Sequence, residues 1–135
     1  MKKFALLFLA AAFCATVFAA FDFSGTKTIP VLNTATTVNS GATNVTEIAA
    51  AGLKGNAALF VLANGNASRT ALNLSLCVTN TVDGGWIELA RESYTATNAG
   101  VYRLSFPAEY ISLPTQVKIN SQGAASSVSA FILSH

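Results

Sequence analysis

Polar and apolar positions alternate with a period of two along most of this chain. The clearest case is "ALNLSLCVTN" at residues 71–80, where Leu72, Leu74, Leu76 and Val78 alternate with Asn73, Ser75, Cys77 and Thr79. Successive side chains of an extended backbone point to opposite sides, so this segment predicts a strand with one dry face and one polar face. "VYRLSF" at 101–106 sets Tyr102, Leu104 and Phe106 against Arg103 and Ser105. "WIELARES" at 86–93 sets Ile87 and Leu89 against Glu88, Ala90 and Glu92. Residues 116–120 bury Val117 and Ile119, and "SVSAFIL" at 127–133 closes the chain as another strand. "TKTIPVLN" at 26–33 predicts a first strand, which Pro30 assigns to a sheet edge because proline has no N–H to give to a ladder. Residues 36–45, rich in Thr, Asn and Ser, predict a weaker strand. The unbroken apolar run "AALFVLA" at 57–63 predicts a central strand covered on both faces.

Turn signals separate these segments. "VDGGW" at 82–86 places Asp-Gly between two strands, a hairpin signal, since glycine tolerates positive φ. "ANGNAS" at 63–68, "TNAG" at 97–100 and "SQGAAS" at 121–126 read as further turns. The helical candidate is "TEIAAAGLKG" at 46–55, with Thr46 as cap and Gly52 or Gly55 as terminator. Residues 107–114 form a loop fenced by Pro107 and Pro114, with Ile111 and Leu113 expected to pack inward and Glu109 and Tyr110 to face water. The predicted fold is all-β: an antiparallel β-sandwich or jelly-roll-like domain of about seven or eight strands.

The N-terminus has a different pattern. Lys2 and Lys3 precede an uncharged apolar run over residues 4–15, and Val17-Phe18-Ala19 offers a cleavage-like end. This predicts a signal peptide over residues 1–19 and a single β-sandwich domain over 20–135. The rival reading is a membrane anchor, because the apolar run extends to Phe21 if Cys14 and Thr16 are tolerated. The short run and its ending favour cleavage, and hence a secreted or periplasmic protein without stable membrane insertion.

Export changes the charge balance. The formal net charge of +2 comes from Lys2 and Lys3; the remaining basic residues (Lys27, Lys54, Arg69, Arg91, Arg103, Lys118) equal the acids (Asp22, Glu47, Asp83, Glu88, Glu92, Glu109). Such a chain has no electrostatic footprint for nucleic acid. Low net charge favours association with other protein surfaces or with further copies. Once Cys14 leaves with the leader, Cys77 stands alone, so no internal disulfide is expected and a buried thiol is the favoured reading.

Chemistry is sparse. The one histidine, His135, is the last residue, and a catalytic triad needs an imidazole held between nucleophile and acid. No cluster of His, Cys or carboxylates has metal-ligand spacing, and "GLKG" at 52–55 lacks the phosphate-binding pattern. Glu88 and Glu92 would share a strand face but stand roughly 13 Å apart at strand rise, too far for a shared ion. Asp83 is their nearest acidic neighbour; Glu88 with Arg91, and Glu92 with Arg103, read as solvated surface charges. No catalytic residue, cofactor or metal is therefore expected. Trp86, Tyr94, Tyr102 and Tyr110 are candidates for a sugar-stacking face. Asn44, Asn66 and Asn73 head glycosylation-type tripeptides of the kind that arise by chance in a chain rich in Asn, Ser and Thr.

The C-terminal part carries a looser signal. Gly100-Val101-Tyr102-Arg103-Leu104 runs to Pro107, Leu113-Pro114 leads into a strand, and a Ser-Val-Ser-Ala strand follows at 127–130. Upstream stand "KGNAALFVL" and "DGGWIELA". Over residues 57–135 the chain resembles the small head-decoration and capsid-associated structural proteins of tailed bacteriophages. That resemblance implies a β-sandwich and a non-enzymatic, virion-like assembly role; the leader is atypical for the family. The expected function is a structural or assembly subunit, virion-like or part of an exported surface structure, working by self-association or by contact with other structural proteins. The alternative is a secreted module that binds glycan or protein.

Overall fold

The computed structural model describes residues 27–53, 55–95 and 97–134. The expected leader, Cys14, Lys54 and His135 lie outside them. Eight strands follow in order: β1 (Lys27–Val38), β2 (Thr43–Ile48), β3 (Asn56–Ala63), β4 (Ala71–Thr79), β5 (Trp86–Tyr94), β6 (Gly100–Pro107), β7 (Thr115–Gln122) and β8 (Ser126–Ser134). They form two four-stranded sheets, sheet A in the order β1-β8-β3-β6 and sheet B in the order β2-β7-β4-β5. All pairings between strands are antiparallel. Only β4 and β5 are consecutive strands within one sheet; every other connection crosses between sheets. This is the jelly-roll solution for a two-layer antiparallel domain.

The predicted alternation positions the core. Leu72, Leu74 and Leu76 of β4 face Leu59 and Val61 of β3, Leu104 and Phe106 of β6, Val117 and Ile119 of β7, and Val128, Ala130 and Ile132 of β8, all buried in one apolar cluster. Pro30 does lie on an edge, since β1 pairs with β8 alone, and the register breaks just after it. The run 57–63 is central in sheet A, but its outer side is only partly covered: Phe60 is half-buried, stacked on Phe131 at 5.5 Å with the Arg103 guanidinium over its ring.

Four expectations change. Residues 46–55 do not make a helix: Thr46–Ile48 end β2, and the described residues after them are irregular. The pairing of Thr46 with Val117 and Ile48 with Thr115 outweighs a helix of at most two turns. Residues 36–45 split between the end of β1 and the start of β2, with a turn at Gly41 (φ +75°). Between the prolines, Ala108–Ser112 winds into a 3-10 helix that buries Ala108 and Ile111; Leu113 is exposed and Tyr110 is half-buried against the core, the reverse of expectation for both. Finally, β5 carries a bulge. Leu76 pairs with Ala90 and Cys77 with Glu88, which leaves Leu89 as an extra residue.

One end of the sandwich is closed by the Arg69 side chain, which is 1% exposed. Its guanidinium donates to the Asn64 carbonyl (2.9 Å), the Ser126 hydroxyl (3.0 Å) and the Asn98 carbonyl (2.9 Å), and lies over the Tyr102 ring. The Ser126 hydroxyl is in turn 2.7 Å from that of Ser121, which donates to the Ala124 carbonyl. One planar cation thus joins the β3–β4 and β5–β6 connections to the start of β8. A Cβ on Gly123 (φ +82°) would stand 2.5 Å from the Ser68 carbonyl oxygen, so only glycine lets these loops meet.

Candidate functional site

Two adjoining surfaces of sheet B stand out: the free edge of β5 and the outer face of the sheet. The β5 edge follows from the bulge. Strict alternation would put Ile87 and Leu89 on one face. The extra residue instead leaves Ile87 beside Val78, Leu89 at the bulge, and Ala90, Glu92 and Tyr94 on the side of Leu76, Leu74 and Leu72. The result is a nine-residue edge strand exposed along most of its length, with Trp86 37%, Ile87 46% and Leu89 37% accessible. Val82, in the hairpin just before it, is 92% accessible. The hairpin is a six-residue loop, stabilised by the Asn80 and Asp83 side chains accepting from the Val82 and Gly85 amides.

The other edges are obstructed or short. The Tyr94 hydroxyl donates to the Arg103 carbonyl and accepts from the Arg103 amide at 3.4 Å, occupying backbone groups on the free side of β6. Pro30 interrupts β1, and β2 has only six residues. Edge strands offer unpaired backbone groups to other chains, and such devices blunt that tendency. β5 is the edge with three large exposed apolar side chains, against one each on β2 (Val45) and β6 (Val101).

The outer face of sheet B is polar and ordered in cross-strand rows. The first row is Thr43, Asn120, Asn73 and Ser93; the second is Val45, Lys118, Ser75 and Arg91; the third is Glu47, Gln116, Cys77 and Glu88. The first row is wired together. The Ser93 hydroxyl donates to Asn73 Oδ1 (2.5 Å), Asn73 Nδ2 to Asn120 Oδ1 (3.0 Å), and Asn120 Nδ2 to the Ala42 carbonyl (2.8 Å) and the Thr43 hydroxyl (3.2 Å). In the third row Gln116 Nε2 donates to Glu47 Oε1 at 3.0 Å. A shallow depression of about 200 Å³ lies over the first two rows, with Glu88 at its border.

The four candidate aromatics do not form one face. Trp86 lies opposite Thr79 on the outer face of sheet B, whereas Tyr94 lies opposite Leu72 on the inner side. Tyr94 and Tyr102 pack together at 5.2 Å between centroids, and Tyr102 donates to the Asn98 carbonyl, so both rings are structural. Tyr110 packs on the core from the 3-10 helix. The bulge likewise separates Glu88 from Glu92, which lie on opposite faces. Glu109 is exposed, with no partner role in a cluster: among the described residues no group of three or more His, Cys, Asp and Glu could hold a metal ion. Cys77 is free and buried, on the outer face between Gln116 and Glu88. Two of the glycosylation-type asparagines are held by structure: Asn73 in the ladder, and Asn66 by donating to the Ala125 carbonyl while accepting from the Ser68 amide. Asn44 accepts from the Thr46 hydroxyl.

Arg69 and the Asn73–Asn120 pair were not signalled by the sequence as special. A lone arginine in an Asn- and Ser-rich loop reads as solvated, and the two asparagines are 47 positions apart. The outward phase of the β4 alternation and a glycosylation-type tripeptide pointed to Asn73, but neither pointed to its pairing with Asn120.

No known protein family matches the sequence, and no curated protein sequence matches it. Solved structures give partial matches. A mitogen derived from Yersinia pseudotuberculosis shares 16% identity over 81% of this chain and 84% of that one, with a TM-score of 0.49. The SPBc2 prophage-derived protein YomS shares 15% over 81% and 93%, with a TM-score of 0.45. A family 11 carbohydrate-binding module from Clostridium thermocellum, solved with a β-1,3-1,4-mixed-linked tetrasaccharide, shares 10% over 81% and 83%, with a TM-score of 0.48.

Proposed function

We propose that this protein is a non-enzymatic structural subunit of an exported or virion-like assembly, which associates with further copies of itself along β5. The observation that carries this reading is the run Trp86, Ile87 and Leu89 on an edge strand whose backbone has no partner on one side among the described residues. A second copy in antiparallel register would pair that edge with itself about a two-fold axis, the closed arrangement open to identical surfaces. It would also cover the three side chains, and burial of apolar surface contributes roughly 25 cal/mol per Å². The equal numbers of acidic and basic residues after position 20 leave no net repulsion between copies.

Edge lysines prevent this kind of pairing, because a charge cannot be buried there without a partner. Size-exclusion chromatography with light scattering of the purified protein and of Leu89→Lys therefore tests the proposal. A defined oligomer that the substitution dissociates is the expected result. A monomer at every concentration, or an oligomer indifferent to Leu89→Lys, would count against it.

A further inference from the structure

We propose that the outer face of sheet B binds an acidic carbohydrate chain, with a sugar carboxylate between Lys118 and Arg91 and ring hydroxyls on the Asn73–Asn120 amide pair. Lys118 and Arg91 both lie opposite Ser75, one on each neighbouring strand. Strands stand about 4.8 Å apart, so the two cations flank a small residue with roughly 10 Å between their backbones. Their long side chains can close on one anionic group there. Glu88 is the single carboxylate lining the depression, which leaves two cations against one acid. The chain after position 20 is balanced as a whole, so this is a local excess.

The amide row supplies the second half of the argument. Asn73 and Asn120 are oriented by bonds running across all four strands from Ser93 to Thr43. An amide nitrogen has two donors and its oxygen two acceptor sites. After the bonds of the row, Asn73 retains one N–H and one acceptor position, and Asn120 Oδ1 retains one acceptor position. Adjacent donors and acceptors fixed in advance suit a hydroxyl, which is both, and prior orientation lowers the entropy cost of binding. The lining has no large apolar side chain, so it lacks the buried anchor that protein partners use. At about 200 Å³ the depression is also smaller than the ~300–1,000 Å³ of pockets that enclose a ligand. An extended chain lying across the sheet fits this shape.

Arg91 and Glu88 stand on β5, so this site adjoins the self-association edge, and the titration is run on Leu89→Lys as well as on the wild type: binding by that variant separates the site from self-association. Isothermal titration of the purified protein would use tetragalacturonate and a hyaluronan tetrasaccharide, with a neutral galacto-oligosaccharide of equal length and tetra-aspartate as comparators. At least one acidic sugar should bind saturably. Arg91→Gln and Lys118→Gln should each weaken that binding tenfold or more, and added salt should weaken it further. Arg103→Gln, on the outer face of sheet A, should leave it unchanged, and Lys118→Arg should retain it. Thermal melts matching the wild type establish that the variants remain folded. Binding of neither acidic sugar would overturn the proposal. So would equal affinity for the neutral sugar or for tetra-aspartate, or insensitivity to Arg91→Gln and Lys118→Gln.

Discussion

Replacing Gly123 with alanine tests whether the loop end of the sandwich is as tightly closed as the geometry requires. Two terms add at this position. The backbone has φ +82°, a left-handed conformation that costs a side-chain-bearing residue about 1–2 kcal/mol. The new Cβ would also lie 2.5 Å from the Ser68 carbonyl oxygen and 2.8 Å from the Thr70 amide nitrogen. Both are backbone atoms, and the Thr70 amide donates to the Gln122 carbonyl at 2.8 Å, so relief requires moving a hydrogen-bonded strand end. Overpacking of this kind costs about 1–3 kcal/mol. Gly84 isolates the first term, since it has φ +72° and open space where its Cβ would stand. Gly123→Ala should therefore cost about 2–5 kcal/mol and Gly84→Ala about 1–2. For a domain of this size a loss of 1 kcal/mol lowers Tm by about 4 °C, so the two variants should melt about 8–20 °C and 4–8 °C below the wild type. Circular dichroism at rising temperature, with urea titration as a second measure, reads both. Equal losses in the two variants would refute the steric contact and with it the close approach of the β3–β4 and β7–β8 connections.

Other expectations follow from single side chains. Arg69→Met should destabilise by about 3 kcal/mol or more in urea titration, because it strands buried acceptors of charged hydrogen bonds; Arg69→Lys should recover little, since an ammonium cannot reproduce the planar fork. Tyr94→Phe should cost about 1 kcal/mol by the same assay and, by freeing the Arg103 backbone on the edge of β6, increase light scattering on storage. Leu76→Ala, fully buried in β4, should cost about 2–5 kcal/mol through the cavity it leaves. The single tryptophan, Trp86, is also a reporter: its emission should shift to the blue as protein concentration rises, and a constant spectrum would contradict burial of β5.

The strands and their faces were readable because burial imposes period two. Leu72, Leu74 and Leu76 point into the core as their spacing requires, and Val117, Ile119, Leu104 and Phe106 do the same. The jelly-roll connections were less legible. "ANGNAS", "TNAG" and "SQGAAS" are turns by composition, but whether a turn stays within a sheet or crosses to the other depends on long-range pairing. The bulge in β5 escaped for a similar reason. One extra residue leaves the alternation of apolar and polar types intact while reversing which side each occupies, and this put Trp86 and Tyr94, two of the four candidate aromatics, on opposite faces. For the candidate surfaces, Trp86 was visible as an aromatic after a hairpin. The asparagine ladder, and the cations flanking Ser75, exist only once β7 lies beside β4.

Sedimentation velocity over a wide concentration range, on the purified protein and on Leu89→Lys, bears most directly on assembly through β5. Concentration-dependent growth to a defined dimer or larger oligomer, abolished in Leu89→Lys while its melting temperature is kept, is the expected result. A single monomeric boundary at all concentrations, or unchanged association in the lysine variant, would contradict it.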